Sequence, residues 1–328
     1  MTKPPTPKKV FVTGASGFIG RKLADRYAGL GAEVVGVDLA ADPVRGVVAG
    51  DISQPGDWQR AVAGCDLVIH TAAVVSYAVT LDAAWQANVV GTRNVLDAAA
   101  RAKVRRLVHF SSVVVFPDLE VPGGMDERAP VSTDGRPYID TKVAAEQVVL
   151  QAHAAGEVEC VIVRPGDVYG PGSRPWVIKP VEAIKRRAFM LPAGGTGNFT
   201  PVYVDNLIDG VTLAAASPKA AGEVFTISDG TVVTCAEFFG NYFRMLGMRG
   251  PMTVPTPVAM AVAATMDRSV RLIGRRTESN PDTMKYFTRR GSYSITKARS
   301  VLGYEPVVDL SEGMRRTEAW LRDEGFLS

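Results

Sequence analysis

Cysteine is scarce in this chain. Only Cys65, Cys160 and Cys235 occur in 328 residues, and no two are spaced as a metal-binding or redox pair. That excludes a cysteine-rich zinc site and a disulfide scaffold, and it fits a reducing compartment such as the cytoplasm. Histidine is equally scarce. His70, His109 and His153 are scattered, so no metal site is expected from them. Long apolar runs are missing too: no stretch of ~20 apolar residues is available to span a bilayer. The opening TKPPTPKK lacks the apolar segment of a signal peptide, and residues 1–9 read as a flexible tail. The net charge of +3 is too small to argue for nucleic acid, and no basic-aromatic motif supports that role. What remains, 46% hydrophobic and 22% charged residues, is the composition of an ordinary globular core.

The most informative stretch is KVFVTGASGFIG, Lys9 to Gly20. An apolar strand, Val10 to Val12, runs into a glycine turn and then into helical spacing from Arg21 to Tyr27. Strand, glycine turn and helix together are the context for phosphate binding. Gly14 permits the tight turn, Gly17 lets a pyrophosphate approach the backbone, and Gly20 lets the helix pack close to the sheet. The free N–H groups at the helix start then face the anion. Gly14, Ser16, Gly17, Phe18 and Ile19 are the candidate contacts. A second strand, Glu33 to Val37, ends in Asp38, about 20 residues further on, where an acid binds an adenine ribose. No Arg follows Asp38 directly, and a carboxylate repels a 2′-phosphate, so the reading is NAD and not NADP.

Strands and helices alternate through the first 110 residues, with strands expected at 44–49, 67–70 and 106–110 and helices at 55–63 and 83–102. That alternation predicts an α/β fold: a doubly wound, Rossmann-type parallel sheet with ligands at the carboxyl ends of its strands. Asp51 and Ile52 follow the third strand. They fit either a contact to the adenine or the start of the next helix. Thr71, Ala72 and Ala73 follow the fourth strand and are small enough for a cofactor to lie across them. A loop spans 117–137, a helix 138–154 and a sixth strand 159–163. Residues 10–170 therefore form the core, with further core elements near 200–230. Residues 171–328 mainly build a smaller, interleaved α/β substrate lobe.

Tyr138 and Lys142 stand four apart on the expected helix, so both project from one face. A phenol with its ordinary pKa near ~10 is a poor base at neutral pH. A nearby ammonium and a positive nicotinamide favour phenolate. Tyr138 would then take the proton of an alcohol while hydride leaves its carbon. Ser112, at the end of the fifth strand, would fix the same oxygen, and Lys142 would also hold the nicotinamide ribose.

These motifs give the chain a clear resemblance to the extended short-chain dehydrogenase/reductase family. It covers nearly the whole chain, through TGASGFIG (13–20), HTAA (70–73), NVVGTRNV (88–95), FSSVVVF (110–116), YIDTK (138–142), RPGDVYGPG (164–172) and LGYEPVVDLSEGM (302–314). The resemblance implies Ser112, Tyr138 and Lys142 as catalytic residues and Pro165 beside the nicotinamide. It gives Asn88 a supporting role in the site. A homodimer through the Tyr138 helix is also implied, and Val143, Val148 and Val149 suit that interface or the core.

Two departures bear on the substrate. Nucleotide-sugar members carry an Asn where this chain has Asp167, and an Arg near Thr196–Pro201 where it has none. A carboxylate at 167 would repel a diphosphate. Val75, Val113 and Val114, with Asp167 and Tyr169, are the candidate substrate contacts, mostly apolar. Residues 255–266 form an apolar run that serves as a packed helix or as a lid. The basic stretch after it, Arg268 to Arg276, is a solvated face or a contact to an anionic membrane surface. The C-terminal layout looks most like 3β-hydroxysteroid dehydrogenases, so the expected reaction is oxidation of a steroid-like secondary alcohol with NAD. Epimerases, dehydratases and ketone reductases of the same family are the near alternatives. A non-catalytic NAD-binding regulator is the distant one.

Overall fold

A computed structural model describes residues 6–327. Residues 1–5 of the expected tail lie outside them, and Lys9 already belongs to the first strand. In chain order the first half runs β1 (Lys9–Thr13), α1 (Phe18–Gly29), β2 (Glu33–Asp38), β3 (Val47–Ala49), β4 (Leu67–His70), α2 (Leu81–Trp85), α3 (Gly91–Arg101), β5 (Arg106–Phe110), α4 (Pro137–Ala154) and β6 (Glu159–Pro165). The second half adds β7 (Asp167–Tyr169), α5 (Lys179–Lys185), β8 (Met190–Leu191), β9 (Asn198–Phe199), β10 (Pro201–Tyr203), α6 (Val204–Ala216), β11 (Val224–Ile227), β12 (Val233–Thr234), α7 (Cys235–Met245), β13 (Met252–Thr253), α8 (Thr256–Leu272), α9 (Pro281–Tyr286) and α10 (Leu310–Asp323).

Seven strands form one parallel sheet in the order β11-β6-β5-β4-β1-β2-β3. Alternate residues of each strand enter opposite cores. Val10, Val12, Leu67, Ile69, Val108 and Val161 join α1 and α6 on one face. Phe11, Val68, Leu107, Cys160 and Ile162 join α3 and α4 on the other. A sheet buried on both faces explains why its strands read as continuous apolar runs. The order reverses between β1 and β4, and the crevice at that point is where such sheets take their ligands.

Three expected elements differ. The strand expected from Val44 begins only at Val47, because Asp42 caps a tight turn through Pro43–Arg45. The helix expected at 55–63 is a 3₁₀ segment, Asp57–Val62, anchored by the buried Trp58. The single helix expected over 83–102 is broken by a π-helical turn, Gln86–Val90, between α2 and α3.

The remaining short strands pair off as β7·β10, β9·β12 and β8·β13 beside the main sheet. Aromatic packing of Trp176, Phe199, Phe238, Phe239 and Phe287 fills this lobe. Helix α8 buries only Ala259 and Ala263, while Val258, Val262 and Met266 are exposed along it. Among the described residues no helix is long and apolar enough to cross a membrane.

Candidate active site

The glycine turn behaves as its chemistry requires. Gly14 has φ +66°, and a Cβ there would meet the Thr71 hydroxyl at 2.9 Å and the Ala72 nitrogen at 3.0 Å. A Cβ on Gly20 would sit 2.0 Å from the Gly14 carbonyl oxygen, so only glycine lets α1 approach the turn. Gly17 caps α1 without a side chain, and no acid occupies the first turn. The helix therefore presents unneutralised N–H groups to the crevice. Phe18 and Ile19 turn partly into the core. The Asp38 carboxylate stands at the end of β2 and accepts hydrogen bonds from the Ser16 N–H (3.0 Å) and the Leu39 N–H (2.8 Å). It thus lies on the rim of the glycine turn. Across the crevice, Thr71 donates to the Thr13 carbonyl (2.7 Å), and the Ala72 N–H donates to the Thr13 hydroxyl (3.1 Å). Ala73 continues that floor half-buried. This uncapped helix, acid-rimmed turn and small-residue floor fit a dinucleotide.

Asp51 and Ile52 separate in role. Asp51 is exposed and accepts from the Ser53 N–H at 2.9 Å. Ile52 is buried, and its carbonyl accepts from Asn94 at 2.8 Å. Pro165 is the last residue of β6, buried and in register with Ile227 of β11.

Ser112, Tyr138 and Lys142 converge where β5 ends and α4 begins. The Ser112 hydroxyl is near enough to the Tyr138 phenol to favour its ionised form, and its oxygen accepts from the Val114 N–H at 3.3 Å. Lys142 Nζ donates to the Phe110 carbonyl at 2.7 Å and is 3% exposed. Burial pulls its pKa down to about 8, with the Glu146 carboxylate pulling the other way. One turn further along α4, Glu146 grips Arg164 through two hydrogen bonds of 2.8 and 2.7 Å. The Tyr138 phenol is pushed up to about 12 by burial, against the opposing pull of the Ser112 hydroxyl, and Asp167 adds to the rise. A depressed phenol was expected from the Tyr–Lys spacing. In this site burial outweighs that effect, and Lys142 is turned towards the Phe110 carbonyl. Asn88, in the π-helical turn, ties the site together. Its amide accepts from the Val74 N–H (2.8 Å) and donates to the Val74 carbonyl (3.1 Å) and the Thr141 hydroxyl (3.0 Å). A π-turn at such a point often serves a site, because it re-aims one side chain.

The five candidate substrate contacts divide. Val75 is exposed and Val114 half-buried. Val113 is 1% exposed and packs with Phe116, Met125 and Tyr293, so it backs the wall and does not face a substrate. Tyr169 is fully buried: its ring meets Tyr203 and Phe238, and α10 closes over its hydroxyl at Gly313. It is a core residue. Asp167 is buried with both oxygens engaged. One accepts from the Tyr286 hydroxyl, the other from the Thr200 N–H (3.1 Å) and Arg289 Nη2 (3.3 Å). Burial raises its pKa to about 6, and Arg289 opposes the rise. Its charge is therefore offset inside the fold, so direct repulsion of a diphosphate by a free carboxylate is not the arrangement found. Arg289 and Tyr286 escaped the reading of the sequence, because they lie 122 and 119 residues from Asp167 and match no local motif.

The model of the NAD dependent epimerase/dehydratase family matches residues 10–228. The chain belongs to that family. Family membership makes NAD the cofactor, and the glycine turn, Asp38 and the uncapped α1 are the parts of this chain that fit it. The chain is 31% identical to a 2-alkyl-3-oxoalkanoate reductase of Stenotrophomonas maltophilia, over 95% of this chain and 98% of that protein. It is also 31% identical to a 3 beta-hydroxysteroid dehydrogenase/Delta 5-->4-isomerase of Mycobacterium tuberculosis, over 93% and 88% respectively. Among solved structures, MoeE5 in complex with UDP-glucose and NAD superposes with a TM-score of 0.75 at 25% identity, covering 96% of this chain and 99% of that one. The chain is thus an NAD-dependent family oxidoreductase whose relatives include hydroxysteroid dehydrogenases and ketoreductases.

Proposed function

We propose that the protein interconverts a secondary alcohol and a ketone on an apolar, steroid-like substrate. The observation that carries this reading is the burial together of Ser112, Tyr138 and Lys142, with the Ser112 hydroxyl acting on the Tyr138 phenol and Lys142 one turn away on α4. NAD, when bound, would supply the hydride acceptor and a positive nicotinamide that favours the Tyr138 phenolate. That phenolate would take the hydroxyl proton and pass it to solvent, so that the products are a ketone, NADH and one proton. Ser112 holds the reacting oxygen in line with the phenol. Lys142, held by the Phe110 carbonyl, would hold the cofactor's ribose and lend it a positive charge. The reverse direction uses the same atoms. With its pKa raised to about 12, Tyr138 stays protonated at neutral pH and is ready to give its proton to a ketone oxygen.

The apolar character of the substrate is supported by its surroundings. Tyr77 packs edge-on against Tyr138 at 6.0 Å between ring centres, and Tyr286 lies beyond it at 6.2 Å. The names of two relatives, a hydroxysteroid dehydrogenase and a 2-alkyl-3-oxoalkanoate reductase, share an oxygen-bearing carbon on a greasy body. Tyr138→Phe tests the mechanism. It should lower kcat by about 10²–10⁴-fold, the usual worth of a positioned acid-base group, with NAD binding by fluorescence titration nearly unchanged. Full activity in that variant would refute the role of Tyr138.

A further inference from the structure

Away from the reacting groups, one helix stands clear of the fold. Of the seventeen residues of α8, only Ala259 and Ala263 are buried. Val258, Val262 and Met266 are 48, 37 and 45% exposed along it, and Leu272 and Ile273 at its end are 88 and 69% exposed. At 3.6 residues per turn these five side chains share an arc of about 120°. Thr265 and Ser269 lie in the same arc. Each turns its hydroxyl back to a carbonyl of the helix, that of Ala261 (2.8 Å) and that of Thr265 (2.9 Å). The stripe therefore meets its polar needs without water, which suits an apolar surrounding. Arginine gathers at the same place. Residues 249–277 hold five arginines and one acid, Asp267, a net charge of +4, whereas the whole chain carries +3, so everything else is net −1. Arg249, Arg268, Arg271, Arg275 and Arg276 are all exposed, and Arg271 pairs with Asp267 at 2.7 Å.

We propose that α8 and the turn after it are a docking surface for an anionic lipid bilayer, with the helix lying in the headgroup plane. An exposed apolar stripe bordered by arginines is built for that plane, where the stripe enters the acyl boundary and the guanidinium groups meet lipid phosphates. The helix is already formed and tethered at both ends. Ahead of it the Val254 N–H donates to the Leu191 carbonyl at 3.0 Å, and past it Glu278 accepts from the Ser76 hydroxyl (2.7 Å) and the Tyr77 N–H (3.2 Å). Docking therefore costs little ordering of the chain. A second copy of this chain fits the surface less well. A twofold pairing of this face would set one net +4 segment against another. A peptide partner would need a groove, and a helix raised on two buried alanines is a ridge, around which lipid can close. This inference stands independently of the reaction proposed above.

The test is sedimentation of the full chain with vesicles of phosphatidylcholine alone and of phosphatidylcholine with one-third phosphatidylglycerol, at low and high salt. The protein should sediment with the anionic vesicles at low salt, and high salt or neutral vesicles should release it. Arg275→Gln/Arg276→Gln should lower the lipid partition constant roughly twentyfold, because each arginine near an anionic surface is worth about fivefold. Leu272→Ser/Ile273→Ser should lower it about tenfold or more through the lost apolar contact. Arg101→Gln/Arg105→Gln removes the same charge from exposed positions before β5 and should leave it nearly unchanged. All of these side chains are exposed, so thermal unfolding of each variant should match the wild type. No sedimentation with anionic vesicles, or equal sedimentation with neutral ones, overturns the proposal. So does sedimentation that neither the 275/276 nor the 272/273 variant weakens, or that the 101/105 variant weakens as much. A dimer that Leu272→Ser/Ile273→Ser abolishes, with no vesicle binding, would assign the face to a second copy and overturn it as well.

Discussion

We assign the cofactor preference to a single side chain, Asp38. Its two oxygens already hold the Ser16 and Leu39 N–H groups, so the carboxylate is fixed at the edge of the glycine turn. Asp38→Ala removes the acid and loosens the turn. The ratio of kcat/KM for NAD over NADP should fall by about tenfold, the loss expected for one charged hydrogen bond. A wild-type protein that uses NADP better would contradict the role given to this residue. The place of Asp38 at the rim of the glycine turn was legible in the sequence because its spacing from the glycines is local and the strand between them is short. The gathering of Tyr138 and Lys142 at the start of α4, near Ser112, was legible for the same reason, through short motifs. The protonation state of Tyr138 was not. It depends on burial and on Asp167, 29 positions away in sequence, and neither has a mark in the Tyr–Lys spacing.

At the level of elements, β4 and β5 bury a histidine pair behind the cofactor crevice. The rings of His70 and His109 lie 5.3 Å apart. His70 is held between the Thr13 hydroxyl (2.7 Å) and the Thr92 hydroxyl (2.9 Å). Burial lowers the pKa of His70 from 6.5 to about 3, and Lys142 adds to the effect. Burial also takes His109 well below the ordinary range, with His70 and Lys142 contributing. Both rings are therefore neutral in the folded state, whereas the unfolded chain takes up protons below its pKa near ~6.5. The unfolded state then binds more protons, so stability is lost as pH falls from about 6.5 towards 3. Urea unfolding at pH 7 and pH 5 should show this loss, and it should shrink in His109→Phe. An equal loss in that variant would place the acid sensitivity elsewhere. The sequence placed His70 and His109 in two expected strands, but not that the strands bring them side by side. Likewise, the helical pattern of 83–102 was plain, while the π-turn that aims Asn88 was not. An inserted residue changes register without changing composition.

Across the whole molecule, the segment from Glu278 to Tyr293 straps the second lobe to the first. Glu278 holds Ser76 and Tyr77, and Asn280 donates to the Tyr77 carbonyl at 3.2 Å. Asp118 accepts from the Arg290 and Gly291 N–H groups at 2.8 and 2.9 Å, and Tyr293 stacks on Phe116. Because the strap holds Tyr77, which packs on Tyr138, and does not touch the glycine turn, Glu278→Ala should raise KM for the alcohol about three- to tenfold, the worth of one or two hydrogen bonds. KM for NAD should stay the same. Equal rises in both would show that the strap supports the entire fold. These contacts join residues about two hundred positions apart, and no periodicity or motif announces them. The doubly wound half was readable strand by strand, whereas the contacts that the second lobe makes to Ser76 and Tyr77 emerged only from the folded chain. The most direct test of the account is NADH absorbance on mixing purified protein with NAD and, separately, a 3β-hydroxysteroid, 3-hydroxydodecanoate and UDP-glucose. NADH is expected from an apolar alcohol and should be lost in Tyr138→Phe. Conversion of UDP-glucose without net NADH, with both apolar alcohols untouched, would contradict it.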